Sequence, residues 1–375
     1  MPELSSRGPI LVTGGAGFIG SHVVYALQEN NFEVVVLDNL STGNYNLLPP
    51  NINFIQGDAG DENFVETLLN EHSISSVMHF AGSIVVPESV KKPLNYYMNN
   101  TVVSRSLLSA CVKAQIRNFI FSSTASVYGR PDKMPVDENT PVAPETPYGR
   151  SKLMTEWMLE DVSKSYNLNY AALRYFNVAG ADIRGRTGQC SPNATHLIKV
   201  ANEVASGKRT ELVIYGDNYD TPDGSCIRDY IHVSDLADAH VKVLQLLQYR
   251  DESFVLNCGY GVGHSVKEVV AEYKHVIGRD IKTIVGSRRN GDVGKLVSNP
   301  ARLMELINWT PKHANLREII STSLDWEENK AYLEVLRYAI YKVKNLDNYA
   351  FTNHLLADNY NEPQIKNISM ASGEN

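Results

Sequence analysis

Tyr148 and Lys152 stand four residues apart in TPYGRSKLMTEWML, a spacing that puts both side chains on one face of a helix. An ammonium held beside a phenol stabilises the phenolate and draws its pKa down from about 10, as a general base requires. The spacing alone is weak, because Tyr338 and Lys342 repeat it in the tail segment LRYAIYKV, where nothing else suggests a site. The first pair is set apart by FIFSSTASVYG, an apolar run that ends in Ser122, Ser123 and Thr124. A hydroxyl at the carboxyl end of a strand can polarise a substrate oxygen while a tyrosine moves its proton. The plain alternative is that these hydroxyls only cap the strand.

A second set lies near the start of the chain. Gly14, Gly17 and Gly20 space the loop GGAGFIG between an apolar run and an amphipathic segment. Glycines there allow a tight turn and close approach of a pyrophosphate, which the following helix N-terminus stabilises. Asp38 ends the next apolar run, VVVLD. A carboxylate at that point accepts hydrogen bonds from ribose hydroxyls and repels a 2′-phosphate, so the expected cofactor is NAD rather than NADP.

Such residues need elements to hold them. From residue 9 to about 180 the runs PILVTG, EVVVLD, INFIQGD, SSVMHFAG, RNFIFSS and NYAALRYF alternate with amphipathic stretches. That alternation predicts βαβ units and a parallel sheet, hence an α/β fold of the Rossmann-like, doubly wound kind. Helices are expected over 17–30, 61–72, 94–115 and 148–166, opening at the glycine loop, Asp61, Pro93 and Pro147. Ligands of open parallel sheets bind beyond the carboxyl ends of the strands, where both residue sets fall. After about residue 180 the alternation weakens, and ADIRGRTGQCSPNAT and GDNYDTPDGSCIRD read as long loops of the kind that bind ligands.

Composition narrows the partners. The chain has 375 residues, 43% hydrophobic and 21% charged, with a net charge of -7 and its basic residues dispersed. Nucleic-acid binding is disfavoured and a small-molecule partner expected. Cys111, Cys190, Cys226 and Cys258 lie far apart without a CxxC pair, so neither a metal site nor a disulfide framework is expected. With no leader-like N-terminus and no apolar stretch approaching 18 residues, the expectation is a cytoplasmic protein that does not enter a membrane.

The motifs GGAGFIGSH, LDNLS, HFAG, ESVKKPLNYYMNN, FSSTASVYG, YGRSK, LRYFNVAGA and RDYIHVSDLADAH occur in this order. Through them the chain, over about residues 9–326, closely resembles the UDP-glucose 4-epimerases of the extended short-chain dehydrogenase/reductase family. The resemblance implies a seven-stranded NAD-binding domain over 9–180 with later segments returning to it. A smaller C-terminal UDP-sugar-binding domain would follow over 181–330, with an extension of unknown role over 331–375. A homodimer would form through helices of the NAD domain.

Carried over by position, Gly14, Gly17 and Gly20, with Phe18 and Ile19, would face the pyrophosphate. Asp38 and Asn39 would meet the adenosine ribose, and Asp58 and Ala59 the adenine. Phe80, Ala81, Gly82, Asn99 and Tyr175 would contact the rest of NAD, with Lys152 on the nicotinamide ribose. Thr124 and Tyr148 would act on the sugar, and Asn177, His196, Tyr215, Arg228, Arg289 and Asp292 would hold the UDP. Guanidinium groups suit phosphate oxygens, although either arginine could equally sit in a structural ion pair. The implied activity is inversion of C4 of a UDP-hexose through a 4-keto intermediate, without net redox change.

Three positions depart from the family pattern. Ile84 replaces a common lysine, His196 stands where others have asparagine, and the catalytic hydroxyl is Thr124 rather than serine. Leu296 occupies a position that in relatives gates the sugar pocket: tyrosine confines it, and cysteine or serine admits a 2-acetamido group. An intermediate leucine implies a preference for UDP-glucose over UDP-N-acetylglucosamine, though ordinary wall packing would explain it as well. UDP-N-acetylglucosamine and UDP-pentose 4-epimerases remain alternatives. A 4,6-dehydratase would place Asp-Glu after the threonine, and a UDP-glucuronate decarboxylase a glutamate in that stretch; this chain has Ala125 and Ser126. A non-catalytic NAD sensor would not need the Thr-Tyr-Lys set.

Overall fold

The structure is a computed structural model that describes residues 8–191, 195–289 and 291–329. The extension 331–375, with Tyr338 and Lys342, lies outside the described residues. In chain order the first half comprises β1 (Ile10–Thr13), α1 (Phe18–Glu29), β2 (Val34–Asp38), β3 (Asn53–Gln56), α2 (Glu62–Glu71) and β4 (Ser76–His79). It continues through α3 (Val86–Lys91), α4 (Pro93–Tyr96), α5 (Val103–Lys113), β5 (Asn118–Thr124), α6 (Pro147–Ser165) and β6 (Asn169–Tyr175). The second half holds β7 (Asn177–Ala179), α7 (Leu197–Ala205), β8 (Leu212–Tyr215), β9 (Ile227–His232), α8 (Val233–Tyr249) and β10 (Phe254–Cys258). Last come β11 (Gly263–Ser265), α9 (Val266–Ile277), β12 (Thr283–Gly286), β13 (Lys295–Leu296) and α10 (Ala301–Ile307), and residues 316–329 are helical.

Seven strands form one sheet in the order β10-β6-β5-β4-β1-β2-β3, and every pairing in it is parallel. All six runs read from the sequence are strands of this sheet. Its two faces separate by the strand period: Ile10, Val12, Val36 and Met78 bury against α1 and α8, while Leu11, Val35, Val77 and Phe119 bury against α2 and α5. Strand order reverses between β1 and β4, and there the Gly14 loop and the Phe80–Gly82 segment leave the sheet side by side.

The seventh strand, β10, comes from FVLNC well beyond the alternating region and extends the sheet beside β6. The single helix expected over 94–115 is instead α4, one widened π turn at Tyr97–Val102, and α5, with α3 before them. Such single-turn widenings gather at functional sites. Here it buries Asn100 among polar partners, whereas a regular periodicity gives no hint of the break.

The later segments build smaller sheets. β9 pairs with β7, β11 and β13, and β8 pairs with β12. A third apolar cluster, including Ile198, Ala201, Tyr273 and Ile320, packs α7, α9 and the 316–329 helix together.

Candidate functional site

The glycine loop is built by close approach. Gly14 adopts φ +70, and a Cβ there would sit 2.4 Å from the Ala81 amide nitrogen. A Cβ on Gly20 would sit 2.3 Å from the Gly14 carbonyl oxygen. Gly17 is the N-cap of α1, with no capping side chain and no acidic residue in the first turn. The helix therefore presents unoccupied N–H groups and a positive dipole end beside a backbone cradle that any side chain would fill, as an anionic ligand requires. Asp38 is buried at the end of β2; its oxygens accept from the Ala16 amide at 2.9 Å and the Leu40 amide at 2.8 Å. The carboxylate thus ties β2 to the glycine loop, and burial pushes its pKa upward.

Around this cradle the other expected cofactor residues are spread along the crevice. Asn39 and Asp58 are engaged locally, accepting from the Ser41 amide at 3.0 Å and the Gly60 amide at 2.7 Å, and Ala59 is buried. Phe80, Ala81 and Gly82 follow β4, with the Phe80 amide donating to the Thr13 carbonyl at 2.9 Å. Asn99 is exposed and donates to the Ser83 hydroxyl at 2.9 Å. Its neighbour Asn100, not picked out in the sequence, is the buried one. It accepts from the Ser83 amide at 2.7 Å and donates to the Ser151 hydroxyl at 3.0 Å, tying the post-β4 loop to α6. Ile84, the departure from the family's common lysine, is exposed.

Thr124 ends β5, and α6 opens under a Thr146 cap and Pro147, which brings Tyr148 within hydrogen-bond reach of the Thr124 hydroxyl. One turn on, Lys152 is 2% exposed and donates to the Ser122 carbonyl at 2.9 Å, with its ammonium 4.9 Å from the Phe121 ring centre. A Cβ on Gly82 would lie 3.6 Å from Lys152 Nζ, so the expected cofactor strip adjoins the catalytic lysine. Tyr175, at the end of β6, hydrogen-bonds the Ser122 hydroxyl.

The electrostatics differ from the expectation. Burial is the largest influence on the Tyr148 phenol and pushes its pKa up, with the Thr124 hydrogen bond pulling it back. Burial also lowers Lys152 to about 8. The Lys152 ammonium donates to the Ser122 carbonyl rather than to the phenol.

The remaining expected residues come together on the second half of the chain. Asp292 lies 3.2 Å from Arg289 and 3.9 Å from Arg228. The Arg289 guanidinium stacks 4.2 Å from the Tyr215 ring centre, and Arg288 stacks 4.1 Å from that of Tyr219. Arg130, Tyr219, Asp220, Arg288, Arg289 and Asp292 line a cavity of about 390 Å³. Arg130, Arg288 and Tyr219 went unnoticed in the sequence because loop residues carry no period to mark them. His196 caps α7, and burial with the nearby Arg289 lowers its pKa. Asn177 opens β7 opposite Tyr230 of β9.

Leu296 pairs in register with Arg228 and is buried in a cluster with Ala125, Val127 and Leu153. It therefore joins the two groups: its strand neighbour carries one of the arginines, and its packing partners adjoin Thr124 and Lys152.

A doubly wound sheet with a dinucleotide cradle, a Thr-Tyr-Lys set and an adjoining arginine cluster defines a nucleotide-cofactor enzyme of the Rossmann class. More narrowly, residues 10–259 match the NAD dependent epimerase/dehydratase family, and the chain belongs to that family. It is 51% identical over 330 residues to a UDP-glucose 4-epimerase of Azospirillum brasilense, covering 88% of this chain and 95% of that one. It also superposes on the UDP-glucose 4-epimerase of Bifidobacterium longum in complex with NAD+ and UDP, with a TM-score of 0.82 and 36% identity, covering 86% of this chain and 99% of that one. The UDP-Glc/GlcNAc 4-epimerase of Campylobacter jejuni is 45% identical with a TM-score of 0.75, covering 86% and 99%.

Proposed function

We infer that this chain is an NAD-dependent UDP-glucose 4-epimerase, interconverting UDP-glucose and UDP-galactose. The observation that carries the reading is the meeting of Thr124, Tyr148 and Lys152 with the segment after β4, beside a loop whose Gly14 and Gly20 leave no room for a side chain. In this reading Gly14, Gly17, Phe18, Ile19 and Gly20 hold the pyrophosphate, and Asp38 keeps lone pairs for ribose hydroxyls beyond its two backbone bonds. Asn39, Asp58, Ala59, Phe80, Ala81, Gly82, Asn99 and Tyr175 complete the cofactor groove. Bound NAD would supply the two-electron acceptor that lets C4 pass through a ketone and back.

Tyr148 takes the proton of the C4 hydroxyl and later returns it, Thr124 orients that oxygen, and Lys152 binds the nicotinamide ribose. Arg228 and Arg289 bind the diphosphate bidentately, with His196 beside Arg289 and Asn177, Tyr215 and Asp292 around the uridine. Labour divides near residue 180: residues 9–180, with β10, serve the cofactor, and 181–330 serve the UDP-sugar.

Pure protein, without added cofactor, is expected to convert UDP-galactose to UDP-glucose in a chromatographic assay and to release NAD when denatured. Recovery of NADP, or no conversion, would overturn the assignment.

The chain also suits a homodimer. Leu94, Met98 and Val102 recur every four residues on the α4–α5 surface and stay exposed, as does Trp157 on α6. An apolar stripe of this kind is expected to pair with its own copy. Light scattering is expected to give a dimer mass, and Leu94→Asp with Met98→Asp a monomer; a monomeric parent would contradict the proposal. No helix among the described residues is long and apolar enough to cross a membrane. Cys111, Cys226 and Cys258 are buried thiols outside any disulfide, which supports a cytoplasmic location.

A further inference from the structure

The segment before α7 carries a polar contact that none of the roles above uses. The Gln189 side chain is buried, and its amide nitrogen, which can only donate, lies 3.1 Å from His196 Nδ1. Nδ1 must then accept, and the ring proton sits on Nε2. Both ends of this contact are fixed. Gly188 packs so closely on the Trp326 indole that a Cβ would approach the ring to 2.4 Å, and the Trp326 Nε1–H donates to the Gln189 carbonyl at 3.3 Å. His196 is held as the N-cap of α7, where its carbonyl accepts from the Val200 amide at 3.0 Å. His196 is half-buried, and its Nε2 has no hydrogen-bond partner among the described residues.

We propose that Gln189 is a positioning residue for the nucleotide: it locks His196 as the Nε2–H tautomer, so that His196 meets the diphosphate as a hydrogen-bond donor. Arg289, assigned above to the diphosphate, is the charge beside His196, and phosphate oxygens only accept, so a donor-only group suits them. Burial and the adjacent Arg289 keep the imidazole uncharged, so the donor is a neutral N–H. The proposal rests on the reading of Tyr215, Arg228, Arg289 and Asp292 as the UDP-binding group.

Long-range ¹H–¹⁵N spectra of histidine-labelled holoenzyme, with His196→Asn used to assign the signal, read the tautomer directly. The expected result is an Nε2–H pattern in the parent protein and mixed tautomers in Gln189→Leu. UDP affinity, measured by calorimetry, is expected to fall roughly 3–10-fold in Gln189→Leu, the worth of one hydrogen bond, with the kinetic loss in KM rather than kcat. An Nδ1–H pattern in the parent, or UDP affinity in Gln189→Leu within about two-fold of the parent, overturns the proposal. If Gln189→Leu fails to fold, the parent spectrum decides. Arg289→Ala separates the two readings. Should it bind UDP as well as the parent, the UDP assignment itself falls and takes this proposal with it. Should it weaken UDP while Gln189→Leu does not, only the role of Gln189 falls.

Discussion

The two halves of the candidate site are made of different material. On the sheet side, the groups sit at the ends of regular strands and on one long helix, with Thr124 and Lys152 buried and Tyr148 half-buried, and act through backbone geometry, hydroxyls and one desolvated lysine. On the other side, the groups are arginines stacked on tyrosines around an aspartate, carried by two- to six-residue strands and the loops between them. The first half is suited to chemistry at a fixed point, because its parts cannot shift without breaking the sheet. The second is suited to holding a charged ligand, because its guanidinium groups offer several donors each. The comparison teaches that variants on the sheet side should lower kcat, and variants on the arginine side should raise KM.

The largest effect is expected from Tyr148→Phe, which should cut kcat by ~10²–10⁴-fold while UDP affinity stays near the parent value. Tyr338→Phe is the control. Loss of activity in that tail variant, with Tyr148→Phe active, would break the division of labour.

Next comes Lys152. Its pKa is lowered from 10.5 to about 8 by burial, so between those values the unfolded chain binds more protons than the folded one. Stability therefore rises with pH through that window, and below it the fold carries the full cost of the buried ammonium. Lys152→Met is expected to be inactive yet more stable at pH 7, by at most about 3 kcal/mol, with the gain vanishing toward pH 10.5 in thermal melts. A variant less stable at every pH would mean that the bond to the Ser122 carbonyl outweighs desolvation.

Arg289→Ala should raise KM for UDP-sugars by about 10–100-fold with a smaller change in kcat, the usual worth of a charge-assisted hydrogen bond. The smallest effect concerns the residue that joins the halves. Leu296→Ser should shift relative specificity toward UDP-N-acetylglucosamine by about 10-fold, and Leu296→Tyr should shift it the other way. If both keep the parent ratio of specificity constants, Leu296 is only wall packing.

The same contrast explains what was legible in the sequence. Strands of two-residue period and a glycine loop announce themselves, so six strands, the α1 and α6 openings and the Thr124, Tyr148 and Lys152 set were read from residue types and spacing. The π turn was not, because a one-residue widening leaves composition unchanged; the same turn put Asn100 rather than Asn99 inside. A seventh strand from a later segment came only through resemblance, because FVLNC follows a helix far from the alternating region and its place beside β6 is a tertiary fact. Arg228, Arg289, Asp292 and Leu296 came only through resemblance, because nothing in a loop's spacing brings Arg289 onto Tyr215. The expected downward shift of the Tyr148 phenol is opposed by burial, which helical spacing cannot show, and only the fold shows the Lys152 ammonium donating to Ser122.

The most direct test of the central claim follows the hydrogen on C4. UDP-glucose deuterated at C4 is incubated in ordinary water with the pure protein and no added cofactor, and the UDP-galactose formed is examined by NMR and mass spectrometry. The account requires the deuterium to remain on C4 of the product, since the hydrogen leaves and returns within one closed site while only the hydroxyl proton passes through Tyr148. Loss of the label to solvent would contradict it, because the stereocentre would then invert by proton abstraction from carbon and the dinucleotide cradle would have no part in the chemistry.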